Sequence, residues 1–142
     1  MTNFDLSTFL PYQLAVASAR TSRDFADRYR TEFGLSIAEW RVLAHLSQSG
    51  SVSVREIHAK VDMDKSQVSR AAARLESAGL VAKRSHPTDG RLVDLTLTDA
   101  GHVLFSRLVP VALEYQAELV SRLGSEADLF RAALTRMTED SR

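Results

Sequence analysis

Apolar residues recur at three- and four-residue spacing from the start of the chain. Phe9, Leu10, Leu14, Ala17, Phe25 and Tyr29 mark one stripe, which predicts a helix over 6–33. Gly34 follows, at a position suited to the left-handed residue that often closes a helix. Three later helix starts share one signature: an oxygen-bearing cap followed three residues on by Glu or Gln. Ser36 with Glu39 opens a helix to about Gln48, with Leu35 placed to staple onto Trp40 and Gly50 to stop it. Ser53 with Glu56 opens a short helix to about Lys60. Asp64 with Gln67 opens another, ending near Ser77, with Met63 placed against Val68 and Gly79 just past the end. Only 61–64 separate the last two. A short helix, a tight turn and a second capped helix make a helix-turn-helix.

After Gly79 the period changes. Residues 80–85 and 92–97 read as two short strands around the turn-rich stretch His86-Pro87-Thr88-Asp89-Gly90-Arg91. A helix-turn-helix followed by such a hairpin is a winged helix. Thr98-Asp99 then caps a helix over 99–123, striped by Leu104, Leu108, Val111, Tyr115 and Leu119. Pro110 lies inside it, so a kink or a lost backbone hydrogen bond is expected. Gly124 breaks that helix, and Ser125 opens a last one through about Thr138. The fold class is therefore mainly α (α+β), a winged helix-turn-helix between helical ends.

Composition narrows the chemistry. A chain of 142 residues with 44% apolar content can build one core, and equal numbers of cations and anions argue against disorder. The absence of Cys excludes a disulfide framework, thiol catalysis and Cys-based zinc sites. No apolar run approaches the ~20 residues of a membrane span. The first ten residues carry Asp5 and no basic residue before their apolar stretch, unlike a secretory signal, so a cytoplasmic address and no membrane partner are expected. Zero net charge conceals an uneven distribution. Within 65–91, Lys65, Arg70, Arg74, Lys83, Arg84 and Arg91 stand against Glu76 and Asp89, a local excess of four positive charges. A basic centre between neutral or acidic flanks suits a polyanion; an ordinary solvated face is the competing reading.

The helix from Lys65 onward separates these readings best. On a helical wheel Val68, Ala72 and Leu75 fall in one narrow sector, while Ser66, Ser69, Arg70, Ala73 and Ser77 occupy the opposite side. Gln67 and Arg74 share a flank. Small residues with a few long polar ones suit a major groove: Arg bonds guanine, Gln bonds adenine, and Ser serves either. Ser66, Gln67, Ser69 and Arg70 lie near the helix start and are placed for bases; Lys65 and Arg74 are placed for phosphates. Arg84, His86 and Arg91 cluster on the hairpin, where a cationic tip can reach the minor groove or the backbone.

At this point the chain resembles the MarR family of bacterial transcription regulators. The resemblance covers nearly the whole length and is strongest over 35–101. It rests on Glu39-Trp40-Arg41-Val42-Leu43, Asp64-Lys65-Ser66-Gln67-Val68-Ser69-Arg70, Leu75-Glu76-Ser77-Ala78-Gly79-Leu80-Val81, the Asp89-x-Arg91 wing, and Leu97-Thr98-Asp99-Ala100-Gly101. It implies a homodimer joined through 1–34 and 99–142, with 35–98 as the winged helix-turn-helix that binds double-stranded DNA. It also implies that Arg91 enters the minor groove and that Asp89 braces it. Gly90 departs from the family, where many members carry a further Arg, and this weakens the wing's charge. The residues agree about the dimer, because two apolar-striped terminal helices exceed what one small winged-helix core can cover. A twofold dimer spaces its reading helices about one DNA turn apart, roughly 34 Å, and calls for a pseudo-palindromic operator.

Nothing points to catalysis. No two of His45, His58, His86 and His102 lie three or four residues apart, and no HExxH, Walker A, GxGxxG or GxSxG pattern occurs. Neither a metal nor another cofactor is expected. The family resemblance also implies a small aromatic or phenolic acid as effector, bound between the dimer helices and the winged helix. Tyr12, Arg20, Arg30, Trp40, His45 and His102 are candidate contacts. Four have a plainer alternative: Trp40 as core, His45 as a satisfied semi-buried histidine, Tyr12 as dimer packing, Arg20 as a partner of Asp24. An Arg in an apolar crevice would suit a carboxylate. The implied function is a ligand-responsive regulator, most often a repressor; a winged helix used for protein–protein contacts is the alternative.

Overall fold

The computed structural model describes residues 3–61, 63–85, 88 and 93–139. A short 3-10 turn, Leu6–Thr8, precedes α1 (Leu10–Phe33). There follow α2 (Ile37–Ser49), β1 (Val52–Ser53), α3 (Val54–Val61), α4 (Lys65–Ser77), β2 (Val81–Ser85), β3 (Val93–Leu97), α5 (Asp99–Leu123) and α6 (Ala127–Thr138). Two helix starts differ from the sequence pattern. α1 begins at Leu10 because Asp5 caps the 3-10 turn ahead of it, accepting from the Ser7 amide. α6 begins at Ala127, since Gly124–Glu126 forms a 3-10 turn before the helix proper.

The expected caps form. The Glu39 amide donates to Ser36 Oγ at 3.1 Å while the Ser36 amide donates to Glu39 Oε1 at 3.2 Å. Ser53 and Glu56 repeat the exchange at 3.1 and 3.4 Å, and Asp64 with Gln67 at 2.8 and 3.3 Å. Each box satisfies two helix-start amides, which sets where the helix begins.

Three strands form one antiparallel sheet in the order β1-β3-β2. The hairpin register pairs Val81 with Leu97 and Arg84 with Asp94. The two-residue β1 is an addition to the expected hairpin: Val52 and Ser53 pair with Leu95 and Asp94. Ser53 thus serves both as a ladder residue and as the cap of α3.

One core fills the space between α2, α3, α4 and the sheet. Val42, Leu43, Ile57, Val68, Ala71, Ala72, Leu75 and Leu95 are fully buried in it. The same core continues through a set of aromatic rings that joins this unit to the terminal helices. Phe25 of α1 meets Tyr29 and Trp40 edge-on at 4.8 and 5.0 Å and stacks on Tyr115 of α5 at 5.7 Å. Trp40 stacks on Phe105 at 5.8 Å. Arg28 lies 4.7 Å from the Tyr115 ring centre and grips Glu118 with both guanidinium nitrogens, so α1 is pinned to α5. Pro110 sits inside α5, which continues past it; the missing amide would have faced the carbonyl of Ser106. No described helix is long and apolar enough to cross a membrane.

Candidate nucleic-acid interface

The geometry of α4 begins at Asp64. Its carboxylate accepts from the Gln67 amide at 2.8 Å and from the Ser66 hydroxyl at 2.7 Å. The Ser66 bond, then the Gln67 amide, hold the Asp64 carboxyl below the usual carboxylate range. The helix ends equally well defined. The Leu80 amide donates to Leu75 O and the Gly79 amide to Glu76 O, with Gly79 at φ +76°, a conformation open to glycine at no steric cost.

Between these ends the two faces part cleanly. Val68, Ala71, Ala72 and Leu75 point inward, while Lys65, Ser66, Gln67, Ser69, Arg70, Ala73, Arg74 and Ser77 are exposed. Ala71 extends the buried sector beyond the three residues of the wheel. The outward residues are not equivalent. Gln67 reaches back to the Asp64 amide and Ser66 to its carboxylate, so both have local roles in the free protein. Arg74 lies 3.5 Å from Glu39 of α2, which draws it toward the flank. Lys65, Ser69 and Arg70 stand open to solvent. Arg84 is exposed on β2, and Lys83 beside it lies 3.5 Å from Glu76. His86, Asp89 and Arg91 fall outside the described residues. Arg55, exposed in the first turn of α3, is a further cation of the helix-turn-helix that the charge count over 65–91 passed over.

Of the six candidate effector contacts, the structure brings two together. Trp40 and His45 line an open depression with Arg41 and Ala44. Sharing Trp40 and Arg41 with it, a smaller pocket of about 120 Å³ is walled also by Ser22, Phe25, Tyr29 and Ile37. Tyr12, Arg20 and Arg30 sit exposed on α1 and His102 on the first turn of α5, away from both. No ion pair joins Arg20 to Asp24 among the described residues. The residues missed are Ser22, Tyr29 and Arg41. Arg41 Nη2 is 3.4 Å from Ser22 Oγ, while the fully buried Tyr29 hydroxyl and His45 Nε2 have no hydrogen-bond partner. Burial pushes the Tyr29 phenol up. Tyr29 counted as a stripe residue in the sequence; its hydroxyl at a pocket wall is a tertiary feature. Among the described residues no group of three His, Asp or Glu could hold a metal ion.

Known proteins resemble this arrangement. The MarR family profile matches residues 33–92. The chain is 34% identical over 102 residues to the HTH-type transcriptional repressor MdtR of Bacillus subtilis, covering 72% of this chain and 66% of that one. It is 31% identical over 106 residues to the HTH-type transcriptional regulator YxaD of the same organism, covering 74% of each. The matched stretch thus spans slightly less than two thirds of MdtR. In three dimensions the chain superimposes on BpsR of Bordetella bronchiseptica, whose DNA binding is regulated by 6-hydroxynicotinic acid. The TM-score is 0.85 at 24% identity, covering 99% of this chain and 100% of the other.

Proposed function

We propose that this chain, which belongs to the MarR family of helix-turn-helix transcriptional regulators, is a sequence-specific double-stranded-DNA-binding repressor that acts as a homodimer. One observation carries the reading: a capped helix that buries Val68, Ala71, Ala72 and Leu75 completely presents Ser69, Arg70, Ala73 and Lys65 to solvent. Small residues there allow close approach to base edges, and Arg70 can bond a guanine bidentately. Lys65, Arg74, Arg84 and the nearby Arg55 supply phosphate contacts, which position the protein on the duplex. The family resemblance adds Arg91, with Asp89 as its brace, and the hairpin pattern adds His86; all three lie outside the described residues and enter the proposal from the sequence alone.

The dimer follows from uncovered apolar surface. Phe4, Leu10, Leu113, Leu129, Phe130 and Met137 are exposed on the terminal segments, with Phe4 at 68% and Leu129 at 74%. A twofold partner covers such a surface and sets two α4 helices about one DNA turn apart. Regions 1–34 and 99–142 are then the dimerisation unit and 35–98 the reading unit.

The effector site is the crevice at Trp40, Arg41 and His45, backed by the pocket at Ser22 and Tyr29. Arg41 offers a fork to a carboxylate, the aromatic walls suit a flat ring, and the Tyr29 hydroxyl awaits a partner. A small aromatic or phenolic acid fits these groups. Binding there favours a dimer whose reading helices are wrongly spaced, and DNA is released in proportion to the differential affinity for the two states. No catalytic step is assigned.

The test is a duplex pool of random sequence, selected by the purified protein and then titrated across a salt series. Enrichment of a pseudo-palindrome, with affinity falling steeply as salt rises, is the expected result. Binding to no duplex at low ionic strength would assign the chain to protein–protein contacts instead.

A further inference from the structure

The corner after α4 and the first turn of α5 are locked together through one hydroxyl and one missing side chain. Thr98 Oγ1 donates to the carbonyl of Gly79 at 2.6 Å and accepts from the Gly101 amide at 3.1 Å. The Thr98 amide donates to Leu80 O at 3.1 Å. A Cβ added at Gly101 would lie 2.1 Å from that same Leu80 oxygen, a backbone atom with no freedom to withdraw. The Leu80 amide is itself bonded to Leu75 O, in the last turn of α4. A continuous backbone link therefore runs from the end of the reading helix, through Gly79 and Leu80, to the start of the long helix α5.

We infer that Thr98 and Gly101 are positioning residues for DNA recognition: they fix where α4 lies relative to α5, and so relative to the two-fold axis. The inference rests on the dimeric DNA-reading proposal above. α5 runs from this corner to the aromatic cluster at Phe105 and Tyr115, and on to the terminal helices that leave apolar surface uncovered. At this corner the Gly101 backbone approaches Leu80 O with no side chain between, and the Thr98 hydroxyl bridges the two segments beside it. A change here moves both reading helices of the dimer in symmetric fashion, which alters their separation while leaving each reading face intact.

The separation between half-sites is therefore the diagnostic quantity. The full chain is titrated with duplexes carrying one or two copies of the half-site selected from a random pool, the two copies set at spacings varied one base pair at a time. Thr98→Val removes the hydroxyl and keeps the shape; Thr98→Ser restores it; Gly101→Ala drives a methyl into Leu80 O. Wild type prefers one spacing. In Thr98→Val and Gly101→Ala the advantage of two half-sites over one falls about tenfold, or the preferred spacing shifts, while one-half-site affinity is kept. Thr98→Ser recovers the wild-type preference. A variant that merely folds less well loses active protein and weakens both duplexes equally, and thermal melting identifies it; Thr98→Val then decides alone if Gly101→Ala does not fold. Retention of the wild-type spacing preference and two-site advantage in a folded Thr98→Val protein overturns the inference. Wild type that binds no duplex fails the DNA-reading proposal instead, a separate outcome.

Discussion

The winged-helix unit and the terminal helices solve the burial problem differently. In the first, Val42, Leu43, Ile57, Val68, Leu75 and Leu95 are sealed from solvent by elements of the same chain. In the second, α1 and α5 hold each other through Phe25, Tyr115 and the Arg28–Glu118 pair. Yet Phe4, Leu10, Leu113, Leu129, Phe130 and Met137 remain in water. These exposed apolar side chains on the terminal segments are what the proposed dimer would cover. On the proposed homodimer, one half of the molecule is finished within a single chain and the other is completed by a partner, and the finished half presents the polar helix face. On that proposal reading and assembly are separate, and the aromatic cluster and the Thr98–Gly101 corner join them.

The largest effect that separates the halves comes from the finished core. Leu75→Ala empties a fully buried site and should cost about 2–5 kcal/mol, read as a fall in urea midpoint. If stability is unchanged, the winged-helix core is not closed as described. On the unfinished half, Phe130→Glu places a charge on apolar surface that a partner is expected to cover. Sedimentation should then show monomers whose far-ultraviolet circular dichroism keeps the helical signature; an intact dimer would remove Phe130 from the interface.

Smaller effects lie on the reading face. Arg70→Ala should cost about 1–3 kcal/mol on the selected duplex and relax base preference there. A loss uniform across all duplexes would make Arg70 a phosphate contact. The smallest effect concerns Asp64. Its carboxyl titrates below the ordinary 3.8 in the folded protein. The cap therefore stabilises α4 fully above about 3.8, and that stabilisation fades as pH falls through the lower folded value. Asp64→Asn caps without titrating, so its stability should fall less than wild type's between neutral and strongly acidic pH. Parallel profiles for the two proteins would remove the carboxylate from the acid response.

The sequence announced those features whose cause is local. Ser36, Ser53 and Asp64 each met their Glu or Gln three residues on, and the α5 limits at Asp99 and Leu123 followed from Thr98 and Gly124. Features with a tertiary cause were hidden. β1 is two residues long and exists only because β3 lies beside it. The wheel placed Arg74 on the outward flank, but its neighbour Glu39 comes from another helix and was not legible there. Tyr29, Ser22 and Arg41 meet at one pocket because side chains of α1 and α2 converge there, an approach that helical periodicity within either helix does not encode. The outward face of α4 was readable in full, since burial on one side of a helix dictates exposure on the other.

Whether this face reads DNA is decided by the affinity of the full chain for its pool-selected duplex, followed as salt is raised. Tight binding at low salt is expected, with log affinity falling linearly against log salt. Lys65→Ala, which leaves one phosphate without its cation, should make that slope shallower by about one. Binding that is absent at low salt, or indifferent to salt throughout, would contradict a DNA-reading role for α4.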